Sequence, residues 1–226
     1  AQIEIAFQFG TNIWCSFPEY MTRLAKAARE ECGRDFRELK SKFLMTFLGP
    51  DLDGALRRDL EAQLGCNVYD VYGTNEMGGG AGECVAKDGL HLMEDALYFE
   101  VCDVETGAPL AKGETGNLVV TNFLRTVMPL IRLNLRDLGR ILHDDRCACG
   151  SCYRRMDHFL GRSDQMVKLR GVNLVPMQCL SAIKSDPRTT GEWVCVLERL
   201  SADGVLRDEM TVHVEVRREA GALDGL

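Results

Sequence analysis

Cys66-Asn67-Val68-Tyr69-Asp70-Val71-Tyr72-Gly73-Thr74-Asn75-Glu76 is the stretch at which the character of the chain changes. Cys66–Val71 reads as a strand, and Gly73 interrupts the pattern. Immediately upstream, Leu56, Leu60 and Leu64 recur four apart, as on one face of a helix. Asp53 suits the N-cap of that helix and Gly65 its end. Phe43–Phe47 is a short apolar run that reads as a buried strand. Further back, Ser16 suits an N-cap and Pro18 a first helical turn, opening a helix that runs to about Cys32. Met21, Leu24, Ala25 and Ala28 lie on its apolar face, and Asn12–Cys15 reads as the strand before it. Strand, helix, strand, helix, strand is the pattern of a parallel sheet with crossover helices.

Downstream of Gly73 the texture differs. Gly78-Gly79-Gly80-Ala81-Gly82 reads as a loop. Tyr98–Asp103 and Asn117–Asn122 alternate as strands, separated by the turn signals Glu105-Thr106-Gly107 and Lys112-Gly113-Glu114. Pro129–Leu133 and Arg140–His143 read as two further short strands of an antiparallel region. A third texture begins at Gly161. Met166–Leu169, Val194–Leu197 and Met210–Val216 read as strands, and Ser201-Ala202-Asp203-Gly204 suits a hairpin turn. The expected fold is α/β: a βα-layered parallel sheet subdomain, an antiparallel β subdomain and a small α+β domain, with domains at 1–160 and 161–226.

The 226 residues are 46% hydrophobic and 27% charged, enough apolar material for a real core. A formal net charge of −7 argues against a nucleic-acid or anionic-membrane face, since phosphates demand a basic surface. No apolar run reaches the length of a membrane span, and Ala1-Gln2-Ile3-Glu4 lacks the features of a secretory signal. Most of the ten cysteines stand singly in apolar stretches, which points to a reducing cytoplasm rather than a disulfide framework.

Tyr72-Gly73-Thr74-Asn75-Glu76 resembles the Tyr-Gly-x-[Ser/Thr]-Glu signature of the adenylate-forming superfamily. Four more blocks follow in order: Gly89-Leu90-His91, then Gly113–Val119, then Pro129–Leu138, and last Gly161-Arg162-Ser163-Asp164-Gln165-Met166 leading into Arg170–Pro176. With Glu83-Cys84 ahead of the second block, the pattern resembles the phenylacetate–coenzyme A ligase branch. The resemblance covers nearly the whole chain, with Gln2–Tyr20 similar to a strand–helix pair of that family. Two hallmarks have no counterpart: the Ser/Thr/Gly-rich phosphate loop and the C-terminal catalytic lysine. The chain therefore resembles a fragment of the family's enzymes, with little or no ligase activity by itself.

The resemblance implies an ATP-dependent, AMP-forming ligase that adenylates an aryl or arylacetic acid and passes the acyl group to coenzyme A. A carboxylate is a poor acyl donor, and an acyl-AMP anhydride supplies a good leaving group. Such catalysis is mostly positioning and charge neutralisation. Glu76 is implied as a magnesium ligand, because hard cations prefer carboxylate oxygens. Asp137 is implied to accept both ribose hydroxyls, although Leu133-Asn134-Leu135 stands where the family usually has Tyr-Arg-Thr. Tyr72, Gly73 and Thr74 are implied at adenine and phosphate, with plain core packing the rival role for Tyr72. Leu48-Gly49-Pro50-Asp51 departs from the family's Gly-Glu-Pro-like motif. Arg162 and Asp164 are implied as nucleotide contact and hinge, and Met77, Gly78, Gly79, Gly80 and Ala81 as the wall of the acyl pocket. An amine, a carrier thiol or another cofactor as acceptor, or a non-catalytic nucleotide-binding remnant, are the alternatives. The oligomeric state is left open by the sequence: bare sheet faces favour either a homodimer or aggregation.

Cys147-Ala148-Cys149-Gly150-Ser151-Cys152 is a knuckle-like cluster, and thiolates with imidazole suit zinc. Cys84 and His91 flank a loop that the resemblance brings near it. Cys84, His91, Cys147 and Cys149 are the expected ligand set, with Cys152 as a substitute. His143, His158 and His213 show no partnering pattern and read as surface or core-edge residues.

Overall fold

The computed structural model describes the chain apart from residues 50, 52–53, 170–171, 203–204 and 219–226. Pro50, Asp53, Arg170, Gly171, Asp203 and Gly204, each invoked above, thus lie outside the described residues. The chain divides into two compact units, Ala1–Leu160 and Gly161–Leu226.

The first unit opens with helix α1 (Gln2–Phe9), which precedes the strand–helix pair expected within Gln2–Tyr20. Strand β1 (Ile13–Cys15), helix α2 (Pro18–Cys32), strand β2 (Phe43–Thr46), helix α3 (Ala55–Leu64) and strand β3 (Asn67–Thr74) follow. β1, β2 and β3 are parallel neighbours. Phe17 rather than Ser16 is the N-cap of α2, with Pro18 at the first helical positions. Gly65 ends α3 in the left-handed conformation at φ 67°, which costs glycine nothing. At the other end of α3 the amides of Leu56 and Arg57 donate to the Asp51 carboxylate, so Asp51 is a capping group among the described residues. Met21, Ala25 and Ala28 of α2 and Leu60 and Leu64 of α3 pack on Leu44 and Val68 of the sheet.

β4 (Gly78–Glu83) runs back along β3. The glycine stretch is thus a strand and not a loop. Glycine has weak strand preference, but ladder hydrogen bonds and close packing override it here. β5 (Leu90–Leu92), β6 (Leu97–Cys102), β7 (Gly116–Asn122), β8 (Leu130–Gly139), β9 (Ile141–His143) and β10 (Arg155–Met156) complete the unit. β4, β5, β10 and β9 continue the parallel strands into one seven-stranded sheet of order β1-β2-β3-β4-β5-β10-β9. β6-β7-β8 form a separate three-stranded sheet. The antiparallel half is therefore split between two sheets. Leu90, Leu92, Leu97, Phe99, Leu118, Val120 and Met156 make its core.

Pro129–Leu133 is not a short strand on its own: β8 runs on to Gly139 and is interrupted by two bulges. At the second, Asn117 pairs Leu138 and Val119 pairs Asn134, so β8 carries extra residues between them. Arg136 sits there with φ 59°. The amide of Arg136 donates to the Asn134 side chain, the local compensation for an unfavourable φ.

The second unit pairs β11 (Val167–Leu169) with β12 (Val172–Leu174). Helix α4 (Cys179–Ser185) precedes a long hairpin of β13 (Thr189–Ala202) and β14 (Val205–Val216). Both hairpin strands extend well beyond the short runs legible in the sequence.

Candidate functional site

The bulge in β8 delivers Asp137 to the interior. Leu135 and Asp137 are buried on either side of the exposed Arg136. The Tyr72 hydroxyl donates to Asp137 Oδ2 at 2.7 Å, joining β3 of the large sheet to β8 of the small one. Tyr72 is 3% exposed, and its ring stacks on Phe159, whose edge meets Phe47. Tyr72 is therefore both core and polar partner, the combination tyrosine serves well when buried.

Glu76 lies in the turn between β3 and β4, four residues beyond Tyr72, and is exposed. Four residues span at most about 14 Å, so Glu76 and the Tyr72–Asp137 pair share one end of β3. The turn is held from two sides. Thr74 Oγ1 accepts the Met77 amide at 3.4 Å, and Arg125 donates to the Asn75 carbonyl at 2.8 Å. Asn122 reaches the Met77 carbonyl at 3.5 Å while its own side-chain oxygen accepts the amides of Leu124 and Arg125. Asn122 and Arg125 were not singled out in the sequence. The only cue was an asparagine at a strand end, a common turn former.

Gly73 is packed so closely that an added Cβ would lie 2.5 Å from the Gly78 carbonyl oxygen. At Gly80 the corresponding space is taken by Met77 and Phe99. Gly78 and Gly79 are exposed, whereas Met77, Gly80 and Ala81 are buried. Only the first pair of the expected acyl-pocket residues thus faces outward. A cavity of about 270 Å³ lies elsewhere, lined by Tyr98, Glu100, Pro109, Lys112 and Arg154 among others, and holds none of the candidate residues.

Behind β3 lies a charged cluster. Asp70, 1% exposed, accepts the Leu48 amide at 2.9 Å and the His158 ring at 2.8 Å. The other ring nitrogen of His158 is 3.5 Å from Glu83, which is held by a two-pronged contact with Arg57 at 2.6 and 2.7 Å. The hydrogen bond to Asp70 raises the His158 pKa above the ordinary imidazole value, against the effect of burial. His158 is thus a paired core-edge residue, and it immediately precedes Phe159.

Cys84, His91, Cys147 and Cys149 converge, with one ligand atom from each within 4.8 Å of the others. Cys152 is exposed and outside this group. The amide of Cys149, and then the neighbouring Cys149, Cys84 and His91 side chains, lower the Cys147 thiol to about 7. Burial instead pushes Cys84 up. In the second unit, Arg162 and Asp164 pair with each other at 2.7 and 2.8 Å.

No family model matches the chain. It is 35% identical to a phenylacetate-coenzyme A ligase of Pseudomonas putida over 226 residues, 99% of this chain and 49% of that protein. A Thermus thermophilus phenylacetate-coenzyme A ligase is 32% identical over 95% of this chain and 47% of its own length. The chain therefore spans about half the length of the curated relatives it matches. The crystal structure of 2-hydroxyisobutyryl-CoA ligase in the postadenylation state, bound to R3-HIB-AMP, superposes with a TM-score of 0.77 at 28% identity, covering 95% of this chain and 45% of that one. ATP-bound MatB of Rhodopseudomonas palustris, at 19% identity and a TM-score of 0.65, shares the fold.

Proposed function

The chain is homologous to the phenylacetate–coenzyme A ligases and has the adenylate-forming fold, and on that premise we propose that it carries the nucleotide-handling part of an ATP-dependent, AMP-forming acid–thiol ligase. The observation that carries the reading is the buried Tyr72–Asp137 bond beside the turn that bears Glu76.

In this reading Asp137 accepts the ribose hydroxyls. An ionised carboxylate is an acceptor at both oxygens, which suits a bidentate grip on two hydroxyls, and the Tyr72 phenol holds Oδ2 in place. Glu76, an exposed carboxylate on a turn braced by Thr74 and Arg125, fits a magnesium ion that retains its waters. Such an ion would neutralise phosphate charge. The Thr74 hydroxyl, already accepting one amide, still has its proton to donate to a phosphate oxygen. Gly73 lets the backbone of β4 come close, and exposed Gly78 and Gly79 leave room for the acid beside it. Arg162 is a nucleotide contact and Asp164 the hinge position. Coenzyme A is the acyl acceptor, and an aryl or arylacetic acid the substrate. Zinc enters as a structural ion, away from the reacting groups.

The test is pyrophosphate release by the full-length protein with ATP, magnesium and a panel of aryl and arylacetic acids. Acid-dependent release is the expected result, with hydroxamate formed when hydroxylamine is added and thioester when coenzyme A is added. Silence across the panel from a folded protein would remove the reading.

A further inference from the structure

We propose that Cys84, His91, Cys147 and Cys149 form a closed, four-coordinate zinc site that clamps the outer antiparallel strands of the large sheet. The inference stands independently of the ligase reading.

The four donor atoms lie within 4.8 Å of one another, and two of their separations match the edges of a tetrahedron around an ion. With zinc–sulfur bonds of about 2.3 Å, two thiolates on a tetrahedron sit about 3.8 Å apart, and a thiolate and an imidazole nitrogen about 3.5 Å. Cys84 Sγ and Cys147 Sγ are 3.7 Å apart, and Cys149 Sγ and His91 Nε2 are 3.5 Å apart. A disulfide requires sulfurs at about 2.05 Å, so the Cys84–Cys147 pair is not one. The donors come from three separate segments and include no carboxylate. Soft sulfur and borderline nitrogen select zinc over magnesium or calcium.

The surroundings are built for the same purpose. The Gly150 amide closes a turn onto the Cys147 carbonyl at 2.9 Å, and the Cys147 amide meets the Ser151 carbonyl at 2.9 Å. Gly150 has φ 93°, a conformation that lets the chain turn back directly after Cys147 and Cys149. The Ala86 amide donates to Cys84 Sγ at 3.4 Å, an added hydrogen bond to a ligand sulfur. His91 Nδ1 faces the Tyr153 carbonyl at 3.4 Å. That contact orients the ring so that Nε2 points into the cluster, the usual outer support of a metal-bound histidine.

Topology shows what the ion would do. Cys84 follows the end of β4, His91 lies in β5, and Cys147 and Cys149 lie in the β9–β10 connection. β4, β5, β10 and β9 are consecutive in the sheet, and β5, β9 and β10 are only two or three residues long. Strands that short bury little by themselves. One ion tying three of their flanks together replaces the missing ladder. Four protein ligands leave no open coordination position, which makes the site structural rather than catalytic. It also lies at the opposite end of β4 from the turn bearing Glu76.

The test uses the 226-residue chain, expressed with zinc, and measures metal by elemental analysis and native mass spectrometry. One tightly held zinc per chain is expected, released by mercurial titration of the thiols. Cobalt(II) put in its place should show thiolate charge-transfer bands and the strong d–d bands of a tetrahedral site. Cys149→Ser, at an exposed position, should remove the bound ion and the cobalt spectrum. Cys152→Ser should leave both unchanged. A folded wild-type chain that retains no zinc and gives an octahedral cobalt spectrum would overturn the proposal. So would equal metal loss in Cys149→Ser and Cys152→Ser.

Discussion

His158 is the residue whose role the sequence hid. A lone histidine in Met156-Asp157-His158-Phe159 carries no spacing signal, because its partners Asp70 and Glu83 are far away in the chain. Folding brings it against two buried carboxylates, and Arg57 supplies the second positive charge. Replacing His158 with Ala leaves Asp70 with the Leu48 amide and Glu83 with Arg57. The expected loss is about 2 kcal/mol, below the usual range for breaking a buried pair because the ring is one-third exposed. The sign of its pH dependence follows from the raised pKa. The stabilisation is complete below the unfolded imidazole value of about 6.5 and fades as pH rises through the higher folded value. Denaturant melts from mildly acidic to mildly alkaline pH check this. Wild type should lose more stability over that interval than His158→Ala, and parallel curves would refute the assignment. Asp137, by contrast, was singled out by the motif it resembles, but its bond to Tyr72 was not foreseen. No periodicity links position 72 to position 137.

At the scale of elements, the parallel half was easy to read, and so were β6, β7 and β9 of the antiparallel half, whereas β4 and the extent of β8 were not, for a physical reason. β1, β2, β3 and the helices between them carry apolar residues at helical spacing or in compact runs. β4 is nearly all glycine, and its strand form comes from pairing with β3 and from the packing of Met77 and Phe99, none of it local. The bulges of β8 likewise hide one long strand as two short ones. The same packing makes Gly73 sensitive. Gly73→Ala would drive a methyl against the Gly78 carbonyl at 2.5 Å, and the neighbouring atoms are backbone of Gly78 and Gly79. The expected cost is about 1–3 kcal/mol, with a displaced Glu76 turn. Thermal melting and ATP affinity of the full-length protein should fall together. A variant with unchanged melting and unchanged affinity would show that the β3–β4 approach has slack.

The whole chain divides at Leu160–Gly161, where the sequence changes texture, and spans about half of its relatives. Since relatives carry as much chain again, these 226 residues alone should give no detectable thioester with any acid. Robust turnover by the isolated chain would contradict that expectation. None of the described helices is long and apolar enough to cross a membrane. The proposed function centres on the end of β3, where the buried Asp137 is bonded to Tyr72 and the exposed Glu76 follows in the next turn. The most direct test is calorimetric titration of the full-length protein with AMP and with 2′,3′-dideoxy-AMP, in wild type and in Asp137→Ala. Wild type should prefer AMP by roughly tenfold or more, the worth of hydrogen bonds to a charged acceptor, and Asp137→Ala, still folded, should bind the two alike. Equal binding of both nucleotides by wild type, or an undiminished preference in Asp137→Ala, would contradict the account.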